Sequence, residues 1–108
     1  MNKYSKKSLK SPAENTLRVI GNKWSVLILN ELKGGVRRFG ELEKTLKGIS
    51  PRTLSLRLTH MEKEGVVDRK VFPEVPPRVE YKLSALGKSL LPVLRVMDEW
   101  GKNMAKKR

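Results

Sequence analysis

Apolar positions recur at helical spacing along most of this chain, and glycines cut the pattern into short pieces. Pro12 can open a first helix that carries Leu17 and Ile20 on one face before Gly21 and Asn22 interrupt it. Trp24, Leu27, Ile28 and Leu32 then mark a second helix, which Gly34 and Gly35 stop. Phe39, Leu42 and Leu46 mark a short third helix that ends at Lys47 and Gly48.

The next stretch, GISPRTLSLRLTHMEKEG, carries its own punctuation. Ser50 suits an N-cap, and Pro51 at the first helical position gives up an amide proton that had no partner there. Leu54, Leu58 and Met61 repeat at i, i+4 and i+7 as a narrow apolar stripe, and Gly65 ends the helix. Two strands follow, VVDRKVF and RVEYKLS. Val79, Tyr81 and Leu83 alternate with Glu80 and Lys82, and a tip with three prolines joins the two runs. Finally SALGKSLLPVLRVMDEWGKNM predicts one long helix with a kink at Pro92.

A tight helix-turn-helix followed by a two-stranded ribbon predicts a mainly α chain with a β-hairpin wing, a winged helix-turn-helix. In that architecture helix 50–64 enters a major groove, and wing 72–80 lies on the flanking backbone or minor groove. Stiffening the tip with proline lowers the entropy lost on docking and protects the ribbon edge from pairing with other chains.

Charge sharpens this reading. The 108 residues carry a formal net charge of +13. Lys3, Lys6, Lys7 and Lys10 lie in residues 1–11, a basic N-terminal arm without an acid. Lys102, Lys106, Lys107 and Arg108 lie in residues 102–108, a basic C-terminal tail, also without one. Residues 12–101 form the single domain between them. Such arms favour anionic partners. No apolar run reaches the length of a membrane span and no apolar leader follows the basic start, so the expected location is cytoplasmic, with no membrane partner.

Turning the apolar stripe of helix 50–64 inward puts Arg52, Leu56, Thr59 and Lys63 outward, flanked by Thr53, His60 and Arg57. Ser50, Arg52 and Thr53 occupy the entry of the helix, where recognition helices meet base edges. Arginine can bind guanine bidentately, threonine offers a hydroxyl or a methyl, and Leu56 can pack on a thymine methyl. Arg37 and Arg38, ahead of the third helix, are placed for backbone phosphates, and Arg78, just past the prolines, is the wing's candidate contact. On residues alone two other readings stay open. One is a non-specific basic binder of DNA or RNA, driven by the tails. The other is a protein-interaction module whose exposed Leu56 meets a partner chain.

The last helix is apolar on more than one face, through Leu90, Leu91, Val93, Leu94, Val96 and Met97. One face can pack on the chain's own core, and the other needs a second surface. A homodimer through the first and last helices, with Leu17, Leu90, Leu94, Met97 and Trp100 at the interface, meets that need. Trp24, Trp100, Met97 and Met104 leave room for a small-molecule effector between the dimer helices, with no ligand identified. An enzyme is not expected. His60, the sole histidine, could pair with Glu64 at i+4, but nothing completes a metal site, and there is no cysteine, phosphate loop or nucleophile elbow. No cofactor and no metal are therefore expected.

The stretches IGNKWSVLIL, RRFGELEKTLKGISPRTLSLRL and VFPEVPPRVEYKLSALGKSLLPVL, together with PAENTLRV, resemble the HxlR-type branch of the MarR-like bacterial and archaeal transcription regulators over roughly residues 12–101. The resemblance implies a homodimeric winged-helix repressor or activator on a palindromic operator in double-stranded DNA. It also implies a dimer interface from the first and last helices. Two positions depart from the family pattern. Many members carry a cysteine where Ser11 stands, and with no cysteine in the chain thiol sensing is excluded. The position of Leu56 is often glutamine in relatives.

Overall fold

The computed structural model describes residues 11–106. Two capped helices open the chain. In α1 (Pro12–Ile20) the Ser11 side chain accepts from the Glu14 amide at 3.2 Å, and in α2 (Lys23–Leu32) Asn22 accepts from the Trp24 amide at 2.9 Å. Each cap satisfies an amide that no turn of helix can reach. The Gly21 amide closes α1 onto the Leu17 carbonyl at 2.7 Å.

Past a glycine turn come β1 (Arg37–Arg38), α3 (Phe39–Thr45) and α4 (Pro51–Lys63), then the ribbon β2 (Val67–Phe72) and β3 (Arg78–Leu83). Gly65 has φ +82°, a left-handed conformation that ends α4 and turns the chain into β2. The strands form one antiparallel sheet in the order β1-β3-β2, with Arg69 opposite Tyr81 opposite Arg37, and Lys70 opposite Glu80 opposite Arg38. The ribbon expected from sequence is thus three-stranded. Arg37 and Arg38 do not lie in a turn; they form its edge strand.

The core gathers Ile28, Leu29 and Leu32 of α2, Leu42 of α3, Leu54, Leu58 and Met61 of α4, and Val67, Tyr81 and Leu83 of the sheet. Burying each of the leucines stabilises the fold by roughly 1.5–3 kcal/mol. Across the α1–α4 junction, His60 Nε2–H donates to the Arg18 carbonyl at 2.9 Å and Arg18 pairs with Glu64 at 3.3 Å. His60 and Glu64 thereby tie α4 to the end of α1.

The C-terminal part differs from expectation. The long helix is two helices, α5 (Ala85–Lys88) and α6 (Leu91–Lys106), separated by a turn at Ser89 and Leu90. Pro92 does not kink a helix; it occupies the first turn of α6, where its missing amide costs nothing. Gly87 is required here because a Cβ would run into the Val66 carbonyl. The expected tail from residue 102 is helical through Lys106, while Lys107, Arg108 and residues 1–10 of the arm lie outside the described residues.

Leu94 is 3% exposed and belongs to the chain's own core, and Leu90 packs against that core. Both had been expected at the dimer interface. An apolar helix does not reveal from sequence which stripe turns inward, and here the Leu90–Leu94 side does. From Arg95 to Lys106, every residue of α6 is exposed. Val93, Val96, Met97, Trp100 and Met104 form one outward stripe, with Trp100 67% exposed. Trp24 packs against the core, while Met97, Trp100 and Met104 are exposed.

Candidate nucleic-acid interface

The entry of α4 is built by its own first four residues. Ser50 Oγ accepts from the Thr53 amide at 3.0 Å and donates to Thr53 Oγ1 at 2.9 Å. Ser50 is thus engaged as a cap, and the proton of the Thr53 hydroxyl remains available to an outside acceptor. With Pro51 removing one amide, the Arg52 amide and side chain stand at the positive end of the helix dipole. No acid occurs in α4 before Glu62.

Arg52, Leu56, Thr59 and Lys63 are all exposed and fall on the side of α4 opposite Leu54, Leu58 and Met61. Leu56 is 55% exposed, an apolar group held in a ring of hydroxyls and cations. Thr53 and Arg57 are half-buried on the flank. The face combines hydrogen-bond donors, a methyl-sized apolar contact and net positive charge, the mixture that base edges and phosphates in a major groove can use.

The wing has a different internal logic. Arg78, the sequence's wing candidate, is engaged on all sides. Its guanidinium reaches Glu74 at 2.7 Å and Glu80 at 2.5 Å, and its Cζ stacks 3.7 Å from the centre of the Phe72 ring. Lys70 Nζ lies 4.9 Å from the centre of the same ring. The hydrogen bond from Arg78 holds the Glu74 carboxyl below the usual carboxylate range, with the charges of Arg78 and Arg38 adding to the effect. A depressed carboxylate stabilises the fold above its unfolded pKa and loses that contribution as pH falls through the lowered folded value, so the clamp is complete at neutral pH.

This cluster fixes the proline tip to the two strands. Arg78→Ala is expected to speed amide exchange at Glu74 and Val75 several-fold while the thermal midpoint hardly moves. Unchanged exchange at the tip would mean that the prolines alone hold the wing.

The sequence did not single out Arg69 and Lys70 on β2, which are both exposed; Lys70 lies across from Glu80 and Arg38 on one face of the wing, and Arg69 across from Tyr81 and Arg37 on the other. The period-2 spacing of Lys70 with Asp68 and Phe72 reads as an ordinary solvent face; only the register across three strands shows that Lys70 shares that face with Arg38. Arg37 is half-buried, and its Nη1 donates to the Val36 carbonyl at 3.1 Å. Among the described residues no group of three or more His, Asp or Glu could hold a metal, and no helix is long and apolar enough to cross a membrane.

A family model described as HxlR-like helix-turn-helix matches residues 19–108. An HTH-type transcriptional regulator of Synechocystis sp. is 47% identical over 90 residues, covering 83% of this chain and 67% of that one. A crystal structure of a MarR-family transcriptional regulator from Enterococcus faecalis V583 superposes with a TM-score of 0.79 at 38% identity, covering 99% of this chain and 94% of the other. The redox regulator HypR in its reduced form gives a TM-score of 0.81 at 41% identity, covering 86% and 92%.

Proposed function

The chain belongs to the HxlR-like helix-turn-helix family and is a winged-helix, DNA-binding transcriptional regulator rather than an enzyme, and from that premise we propose that it acts as a homodimer whose two α4 helices read the half-sites of a palindromic operator. The outward face of α4 carries this reading: Arg52, Thr53, Leu56, Thr59 and Lys63 converge on one side of a helix whose other side is fully buried.

Arg52 and Thr53 address base edges, Leu56 packs on a thymine methyl, and Thr59, Lys63 and Arg57 follow the backbone. Ser50 positions Thr53. Arg38, with Lys70 on the same face of the sheet, meets phosphates at the wing, and Arg37 and Arg78 set the geometry of the sheet that presents them. The N-terminal arm adds sequence-independent affinity. The apolar stripe of α6, with exposed Leu17 of α1, supplies the dimer surface and spaces the recognition helices about 34 Å apart, one turn of duplex. The redox activity in HypR's name does not carry over, because this chain has no cysteine.

Arg52→Ala tests the reading of bases. It is expected to reduce discrimination between operator and scrambled duplex by about 1–3 kcal/mol, measured as a ratio of dissociation constants at fixed salt. Equal weakening on both duplexes would make Arg52 a phosphate contact only.

A further inference from the structure

The end of α1 meets the last turns of α4 around Arg18. This residue lies in the last turn of α1, where backbone carbonyls have no amide of their own helix to accept from. His60 supplies one from α4, its Nε2–H donating to the Arg18 carbonyl at 2.9 Å. Glu64, one turn further along the same side of α4, holds the Arg18 guanidinium at 3.3 Å. α4 thus grips both the backbone and the side chain of one residue, which fixes direction as well as distance.

α1 is otherwise lightly anchored. Ile20 is its one buried residue, with Val19 packed part-way against the core. A cleft of about 310 Å³, lined by Asn15, Val19, Leu86 and Leu90, separates α1 from α5 beside the ion pair. α4 is seated rigidly by contrast, with Leu54, Leu58 and Met61 no more than 1% exposed. A packed core resists displacement, whereas a helix held at one buried point can swing. Arg52 stands eight residues before His60 on α4, about 12 Å along the helix axis. A swing of about 10° at the junction moves Arg52 by about 2 Å. Across a two-fold axis that becomes about 4 Å, against about 3.4 Å between successive base pairs.

We propose that His60 is a positioning residue that sets which half-site spacing the protein accepts. α1 carries Leu17, exposed on the surface proposed for the dimer, and α4 carries the outward face that reads bases. The His60 and Glu64 bonds to Arg18 therefore join the two-fold axis to the recognition helix. With the junction closed, one separation of the two α4 helices is favoured. With it open, each winged domain swings on its dimer helix and neighbouring spacings are accepted. Reading of a single half-site does not pass through His60. The role rests on the homodimeric, operator-reading function above.

The test uses the full chain and a palindromic duplex selected by the wild-type protein from a random-sequence library. Fluorescence anisotropy at fixed salt compares that duplex with versions lengthened or shortened by one base pair at the centre, and with a single half-site. The wild type should favour its selected spacing about tenfold or more over either neighbour. His60→Ala should bind the single half-site within about twofold of wild type, while its preference among spacings falls to about threefold or less. His60→Gln, whose side-chain amide can donate to the same carbonyl, should restore the preference, a rescue that follows the hydrogen bond rather than the ring. Glu64→Gln removes the ion pair alone and should weaken the preference part-way. If His60→Ala does not fold, a Glu64→Gln protein as selective as wild type overturns the junction's role. A folded His60→Ala protein that keeps the wild-type preference, or that loses half-site affinity as steeply as palindrome affinity, overturns the role of His60 alone. A wild type that selects no palindrome, or is indifferent to spacing, overturns the dimeric reading and this role with it.

Discussion

Leu94→Glu is expected to unfold the chain. Leu94 is the one buried residue of α6, 3% exposed within the core. Truncating such a leucine to alanine costs about 2–5 kcal/mol, and placing a carboxylate there adds the cost of taking a charge out of water. Against a total stability of roughly 5–15 kcal/mol, that sum removes most or all of the margin. Urea denaturation followed by circular dichroism measures it, with Leu94→Ala as the graded comparison. The sequence alone makes Leu94 an interface residue, and a soluble, folded, monomeric Leu94→Glu protein would restore that assignment.

Trp100→Glu is expected to do what Leu94→Glu cannot, separating the dimer while leaving the winged domain folded. Trp100 lies about two helical turns beyond Val93, on the same outward stripe as Val96, Met97 and Met104. Little of its own chain covers it. The segment from Arg95 onward is exposed along its whole length, and a helix that short is marginal in water without a partner surface. A glutamate in the middle of the stripe places a charge at the centre of the interface proposed for the homodimer.

Sedimentation equilibrium should therefore show monomers, and circular dichroism should lose only the helical signal of the freed arm. Affinity for a two-half-site operator should fall by about 10²–10⁴-fold, because the second half-site no longer gains from the first. Affinity for a single half-site should hardly change. A dimer that survives Trp100→Glu would move the interface off α6.

The two variants show what could be read from the sequence and what could not. α4 was legible almost to the residue, because Ser50, Pro51 and Gly65 fix its ends by local chemistry and Leu54, Leu58 and Met61 fix its inner face. The ribbon was legible through the alternation of Val79, Tyr81 and Leu83. β1 was not, since Arg37 and Arg38 carry no strand pattern and become a strand only by pairing with β3. The break between α5 and α6 was hidden by the continuous apolar run around Pro92. Which stripe of α6 faces the core is decided by distant partners, so Leu90 and Leu94 could not be told from Val93 and Met97.

The candidate interface divides in the same way. The outward side of α4 follows from helical geometry once its inner side is known. Arg78 does not: its engagement by Glu74, Glu80 and the Phe72 ring needs the fold of the tip to bring those groups together.

The most direct test of sequence-specific binding by α4 is fluorescence anisotropy on the DNA upstream of the protein's own gene, against a scrambled duplex of the same length, across a salt series. Site-specific recognition predicts that both affinities fall as salt rises while a large ratio in favour of the upstream DNA persists. Equal affinities that collapse together with salt would contradict it, leaving a binder held to DNA by its charge alone.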